Sequence, residues 1–156
     1  MAYYRPSDYE DCAVLAPKLR DVDLREIQAS SGSSGFQSLA YSYWGSYECN
    51  TIISDKEDII GMFGVAKGFQ GVSFPWLLMS DGIYEKGFAR QFIPQAQEWV
   101  DRMQKDNEIM TNWVSCDNRV AIRWLKSLGF SFINKVDEFG VGKKPFYEFV
   151  RIRRNV

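Results

Sequence analysis

The sequence predicts one α/β domain over residues 1–156, its elements in the order strand, helices, three strands, helix, strand, helix, two strands. Three observations carry this. Apolar residues recur at helical spacing through the first third and again over 92–103. After Asn50 the pattern changes to short runs of β-forming residues. At 77–89 an apolar strand runs into a glycine-bearing loop and then a long amphipathic segment.

Residues 2–5 read as a short first strand. Ser7 precedes Glu10 at capping-box spacing, and Cys12, Leu15, Leu19 and Val22 then follow a helical period, with Pro17 expected to kink or divide the helix. A second helical piece covers 24–28, and Ser-Ser-Gly-Ser-Ser-Gly over 30–35 is a loop too short to separate domains. Phe36, Leu39, Ala40, Tyr43 and Trp44 give a helix over 36–47. Strands follow at 50–54 and 59–67, joined by the turn Asp55-Lys56-Glu57-Asp58, with a third at 73–80 that is apolar on both faces. After a loop over 81–88, a helix over 89–105 carries Phe92, Ala96, Trp99, Val100 and Met103 on one face, with Pro94 predicting a kink or a later start. A strand at 112–116 leads into a helix over 118–128 that Gly129 ends. Strands at 131–139 and 145–153 close the order across the turn Gly140-Val141-Gly142-Lys143-Lys144.

Composition narrows the function. The formal net charge is −1, against the basic excess that neutralising many phosphates requires, so nucleic acid is not the expected partner. The chain has no histidine, which removes the commonest general base and the commonest zinc ligand. Cys12, Cys49 and Cys116 form no CxxC pair, so no metal and no disulfide framework is expected. No segment approaches the roughly 20 apolar residues of a membrane span, and the start has no hydrophobic signal core, so a reducing, cytoplasmic setting is the simplest expectation.

Two junctions carry chemistry. From Leu77 to Ala89, a strand feeding a loop and a helix points free backbone N–H groups at one spot, where the helix dipole favours an anion such as a pyrophosphate. Gly87 allows close approach and Ala89 keeps the first turn open, although a plain strand-to-helix turn contains the same residues. The second junction is Asn118 to Phe130. Asn118 is an N-cap, Ala121, Trp124, Leu125 and Leu128 make a packing face, and ordinary helix design explains most of this stretch.

Together these segments resemble the GNAT family of acyl-CoA-dependent N-acyltransferases. Its N-x-x-A-[IL]-x-[LF]-Y-x-x-x-G-F pattern is met by Asn118, Ala121, Ile122, Gly129 and Phe130, and its L-x-V-x-P-x-x-[RQ]-x-x-G-x-[GA] pattern by Leu77, Gly87 and Ala89, with Met79 for valine. Arg5-Pro6-Ser7-Asp8 is similar to the family's opening. Three positions depart: Tyr84 replaces the usual Arg or Gln, Asp81 stands where proline is frequent, and Leu125 replaces the tyrosine that protonates the leaving thiolate. Leucine in that place, with Asn118, Ile122, Arg123, Lys126 and Gly129, also looks like GNAT-like proteins of tailed bacteriophages, some of them virion-associated.

The resemblance implies a mixed, mostly antiparallel sheet of about six or seven strands with helices on both faces. It implies acetyl-CoA as acyl donor, no metal, and an amine acceptor on a small molecule or a protein that attacks the thioester directly. Coenzyme A would be held by Leu77, Leu78 and Met79, by Tyr84, Glu85, Lys86, Gly87, Phe88, Ala89 and Arg90, and by Asn118 and Ala121. The pantetheine arm would lie where the strand of Leu77 splays from that of Asn112, with the N–H of Leu78 or Met79 polarising the carbonyl. Asp81 is the first choice of general base, with Glu48 and Glu85 behind it, and Tyr84 or Tyr147 could replace the missing acid; each is more readily explained as surface charge or packing. Cys116 without a histidine is a structural thiol. The acceptor groove would be shaped by residues 22–44 and the turn at 140–144; Tyr41, Tyr43, Trp44 and Tyr47 suggest an aromatic lining, and core packing explains them at least as well. The contrasting expectation is a catalytically impaired scaffold acting as a binding or virion protein, in the host cytoplasm or the virion.

Overall fold

A computed structural model describes residues 1–154. Seven strands form one sheet in the order β1-β2-β3-β4-β5-β7-β6. They are β1 (Tyr3–Pro6), β2 (Ser46–Ile53), β3 (Ile59–Lys67), β4 (Val72–Met79), β5 (Ile109–Ser115), β6 (Ser131–Phe139) and β7 (Lys144–Ile152). Every neighbouring pair is antiparallel except β4 and β5. The expected α/β class, element order and mixed sheet are therefore observed.

Helices α1 (Glu10–Leu15), α2 (Asp21–Ser30) and α3 (Gly35–Gly45) cover one face, where Cys12, Leu15, Leu19, Ile27 and Leu39 bury against Met62 of β3. Helices α4 (Phe88–Asp106) and α5 (Arg119–Ser127) cover the other, packing Phe92, Trp99, Val100 and Trp124 on Phe63, Val65 and Phe149. Because successive side chains of a strand point to opposite faces, Met62 and Phe63 serve different cores. Many contacts of the second core are ring on ring: Phe63 meets Trp99 edge-on at 4.9 Å and Phe88 stacks on Phe92 at 5.4 Å.

Several boundaries differ from expectation for local reasons. Pro17 divides the first helix, its 3₁₀ turn Ala16–Lys18 separating α1 from α2. Ser7 does not cap α1: its N–H bonds Cys49 O and its hydroxyl lies 2.7 Å from that of Thr51, so Ser7 continues the β1–β2 ladder. The capping box forms instead at Ser34 and Gln37, in the segment expected to be loop, and starts α3 at Gly35. β2 begins at Ser46, which accepts from Trp76 Nε1 at 2.7 Å, so the third helix is shorter than its apolar pattern suggested. α4 starts at Phe88 and runs through Pro94, whose ring is exposed where the missing N–H leaves no buried orphan.

One long-range stitch positions the functional face. The β6–β7 turn rests on the end of α2, with Gly142 N–H donating to Ala29 O at 2.8 Å. Gly140 adopts φ +71°, and a Cβ there would sit 2.4 Å from Ala29 O, so only glycine permits this approach.

Candidate active site

β4 and β5 run parallel but pair only at Val72↔Ile109 and Ser73↔Met110; beyond that they part. The gap opens into a cavity of about 290 Å³ lined by Pro75, Trp76, Leu77 and Leu78 on one strand and Asn112, Trp113 and Val114 on the other. Asn112 Nδ2 bridges its closed end, donating to Pro75 O at 3.0 Å. The cavity reaches through the sheet. On one side it meets Arg20, Glu26, Ser30, Ser38 and Ser42, on the other Ala121, Trp124, Leu125 and the aromatic core.

Strand parity decides which amides face this gap. Pro75 O and the N–H and C=O of Met79 point away from β3, and Leu77 between them does the same. Leu78 is turned to Met62 of β3. Met79 is already engaged: its N–H donates to Asp23 Oδ2 at 3.1 Å and its carbonyl accepts from Arg20 N–H at 3.0 Å. Of the three residues expected to present backbone here, Leu77 is thus the one whose N–H faces the gap without a side-chain partner among the described residues. Of the two amides expected to face the gap as donors, Leu78 is turned to its ladder neighbour and Met79 is held by α2, so neither is open to it.

Below β4, Asp81–Tyr84 forms a 3₁₀ turn and Gly87 precedes α4 at φ +82°. Glycine is favoured at that left-handed angle, while a Cβ would meet nothing nearer than Gln91 Nε2 at 4.0 Å, so the space before Gly87 is open. Phe88 N–H is taken by Glu85 O, whereas the N–H groups of Gly87, Ala89 and Arg90 have no protein acceptor among the described residues. Side chains of Glu85, Lys86, Ala89 and Arg90 are exposed around them, while Phe88 is buried against Phe92 and serves packing. Tyr84 is largely exposed, its hydroxyl accepting from Arg20 NH1 at 3.2 Å.

The candidate bases separate by position. Asp81 is exposed at the start of the 3₁₀ turn and does not line the cavity. Glu48 lies in a different hollow beside Tyr4, Tyr47 and Arg102. It accepts from Trp99 Nε1, from Asn50 at 3.1 Å and from Arg102 at 3.3 Å. Although burial pulls the other way, those donors hold its carboxyl below the ordinary glutamate value. Leu125 lines the gap and offers no hydroxyl. Burial raises the thiols of Cys12, Cys49 and Cys116, as for structural cysteines. The expected aromatic lining is also displaced. Ser38 and Ser42 of α3, four residues apart, face the cavity, while Tyr41 and Trp44 lie on the exposed side at 84% and 70% accessibility.

Sequence reasoning missed a polar cluster at the cavity wall. Arg20 and Asp23 form a buried bidentate pair at 2.9 and 3.0 Å, and Asp23 reaches Met79. One turn on, Glu26 Oε2 accepts from Asn118 Nδ2 at 3.0 Å and from Ser115 N–H at 3.2 Å. Asn118 meanwhile caps α5, its Oδ1 accepting from Ala121 N–H at 3.4 Å. Burial pushes the Glu26 carboxyl up to about 7, against the Asn118 bond that lowers it, and nearby Asp23 pushes it further. The only sequence signal was the helical spacing of Asp23 and Glu26 behind Arg20, which reads equally as a solvated face.

A model of the family described as "Bacteriophage T7, probable scaffold protein Gp13" matches residues 61–139, half of the chain. Among solved structures, spermidine N-acetyltransferase from Vibrio cholerae in complex with CoA and spermine superposes with a TM-score of 0.70 at 14% identity, covering 97% of this chain and 95% of that one. The ribosomal-protein-S18-alanine N-acetyltransferase from Escherichia coli gives 0.70 at 11% identity, covering 100% and 96%. A GNAT-family acetyltransferase from Bacillus anthracis gives 0.70 at 11%, covering 97% and 94%. At such identities the likeness establishes the fold: this chain has the GNAT fold. No curated protein sequence matches it. Among the described residues no helix is long and apolar enough to cross a membrane.

Proposed function

Starting from a chain that belongs to the phage family described as "Bacteriophage T7, probable scaffold protein Gp13" and carries the GNAT fold, we propose that it is a single acyl-CoA-binding domain that transfers an acetyl group to an amine. The observation that carries this reading is the parting of β4 from β5 after two residue pairs, which leaves Leu77 N–H facing a 290 Å³ cavity. In a site away from bulk water, one aligned donor of this kind stabilises the oxyanion of a tetrahedral adduct by about 3 kcal/mol.

In this mechanism the amides of Gly87, Ala89 and Arg90, with Lys86 and Arg90 nearby, hold the pyrophosphate of coenzyme A at the start of α4. The pantetheine arm enters between Leu77 and Asn112, and Ala121 and Leu125 bound its far wall. The amine attacks the thioester carbon, the carbonyl oxygen develops charge toward Leu77 N–H, and the C–S bond breaks. With leucine at 125 no side chain there protonates the thiolate, which takes a proton from the acylated nitrogen relayed through water.

Titration of acetyl-CoA by calorimetry into wild type and Gly87→Asp tests this. Aspartate tolerates a left-handed backbone better than most residues, so the variant keeps its fold while placing a carboxylate among the anion-binding amides. Micromolar binding in wild type, weakened at least tenfold in the variant, is expected; no binding at millimolar ligand would sink the reading. The family match favours a second reading, an assembly role without turnover, and wild type that binds acetyl-CoA yet never consumes it would select that one.

A further inference from the structure

Glu26 has the makings of a proton acceptor and no structural duty that consumes both its oxygens. Oε2 receives both of its hydrogen bonds, from Asn118 and from the Ser115 amide, and these fix the carboxyl plane. Among the described residues nothing donates to Oε1. No cation pairs with it directly: Arg20, whose charge favours the ionised form from a distance, is bonded bidentately to Asp23 and to the Tyr84 hydroxyl. The charged groups around Glu26 are therefore Asp23 on its own helix and Arg20 at that helix's cap. From β5 and α5 it meets only the neutral Ser115 amide and Asn118 side chain. The carboxyl lies on the wall of the same cavity that Leu77 lines, on the face where Ser30, Ser38 and Ser42 supply hydroxyls.

We propose that Glu26 takes a proton from an acceptor that arrives as an ammonium on the α2–α3 face of the gap, which makes the acceptor class a primary alkylamine. This rests on the acyl-transfer reading. An uncompensated carboxylate in a half-buried site attracts a cation and repels other anions, so the resting interaction selects the ammonium form. One proton passes from nitrogen to Glu26 Oε1. The freed lone pair forms the C–N bond at the thioester carbon, and the oxyanion is held by Leu77 N–H. Collapse of the adduct breaks the C–S bond; the second nitrogen proton goes through water to the departing thiolate, and Glu26 returns its proton to solvent. The products are the amide, free coenzyme A and one proton. A base that works near neutrality is best matched to its task when its affinity for the proton is near that of the medium, which the burial of Glu26 supplies.

Asn118 joins the two halves of the site. Its Oδ1 caps the helix that flanks the cofactor side, and its Nδ2 aims the carboxyl on the acceptor side. It is a positioning residue.

The test measures acetyl-CoA consumption from pH 5.5 to 9 with spermidine and an alanine-terminated peptide as probe amines, alongside calorimetric acetyl-CoA affinity, for wild type and Glu26→Gln. We expect kcat/KM of wild type to rise through a limb near pH 7. In Glu26→Gln, kcat should fall at least a hundredfold and the limb should vanish, with acetyl-CoA affinity within about twofold of wild type. Glu26→Asp, which keeps the carboxylate, should recover part of the rate and restore a shifted limb. Should Glu26→Gln not fold, a carbon-13 titration of the Glu26 carboxyl in acetyl-CoA-bound wild type takes its place; a midpoint in the ordinary range near 4 would overturn the assignment. If wild type does not bind acetyl-CoA, the acyl-transfer reading fails and this proposal with it. If both proteins bind it and turn over alike with the same limb, Glu26 alone is overturned. Binding without acetylation of either amine overturns the alkylamine assignment.

Discussion

The two ends of the β4–β5 gap are built by opposite means. At the α4 end, the proposed recognition is made of backbone: a left-handed glycine and three amides with no protein acceptor among the described residues, ringed by exposed side chains. At the α2 end it is made of side chains, with Arg20, Asp23, Glu26 and Asn118 converging from two helices and their caps on the backbone of Met79 and Ser115. The first kind of site costs little stability to alter and much binding. The second is embedded in the fold, so altering it disturbs both.

That contrast predicts a graded series. Asp23→Ala removes the partner of a buried Arg20 and the acceptor for Met79 N–H, and should cost about 3–5 kcal/mol in urea unfolding. Gly87→Asp should cost about 1–2 kcal/mol while weakening acetyl-CoA; equal losses in the two variants would erase the distinction between the ends. The next effect is in pH. The Glu26 carboxyl is raised from about 4.5 to about 7 on folding. Between those values the native state holds a proton that the unfolded chain has released. Stability therefore falls as pH rises from about 4.5 through 7, by about 2–3 kcal/mol for this group. Denaturation of wild type and Glu26→Gln at pH 5 and pH 8 reads it as a difference in slope, and parallel slopes would contradict the assignment. Smallest, Asn118→Ala should cost about 1–2 kcal/mol through loss of the α5 cap. Because it also frees Glu26 Oε2, it should move the pH limb of turnover, an effect that a cap alone would not produce.

The same contrast explains what could be read from the chain. Gly87 and Asn118 are local devices: a left-handed turn before one helix and a cap on another, each visible as one residue type at a fixed distance from an apolar run. The partition of helices and strands was legible for the same reason, and it erred where tertiary contacts overrode spacing, as when Thr51 took Ser7 away from α1. Glu26 was not legible. Its place in the proposal comes from Asn118, which is 92 positions away, and from the Ser115 amide, 89 positions away. Asp81 and Glu48 illustrate the converse error. Both sit at strand ends near the gap in sequence, yet one faces solvent and the other is held by Trp99, Asn50 and Arg102. Parity was the finer lesson at the strand, since a shift of one residue separates Leu77, whose N–H faces the gap, from its ladder-bound neighbour Leu78.

A chain without histidine is usually silent to titration between pH 6 and 8. This one is not, because a single carboxyl has been moved into the vacant interval. Burial raises the thiols of Cys12, Cys49 and Cys116 as well, and so carries them further from that interval. The formal charge of −1 counts Glu26 as ionised, and so overstates the negative charge wherever that carboxyl holds its proton.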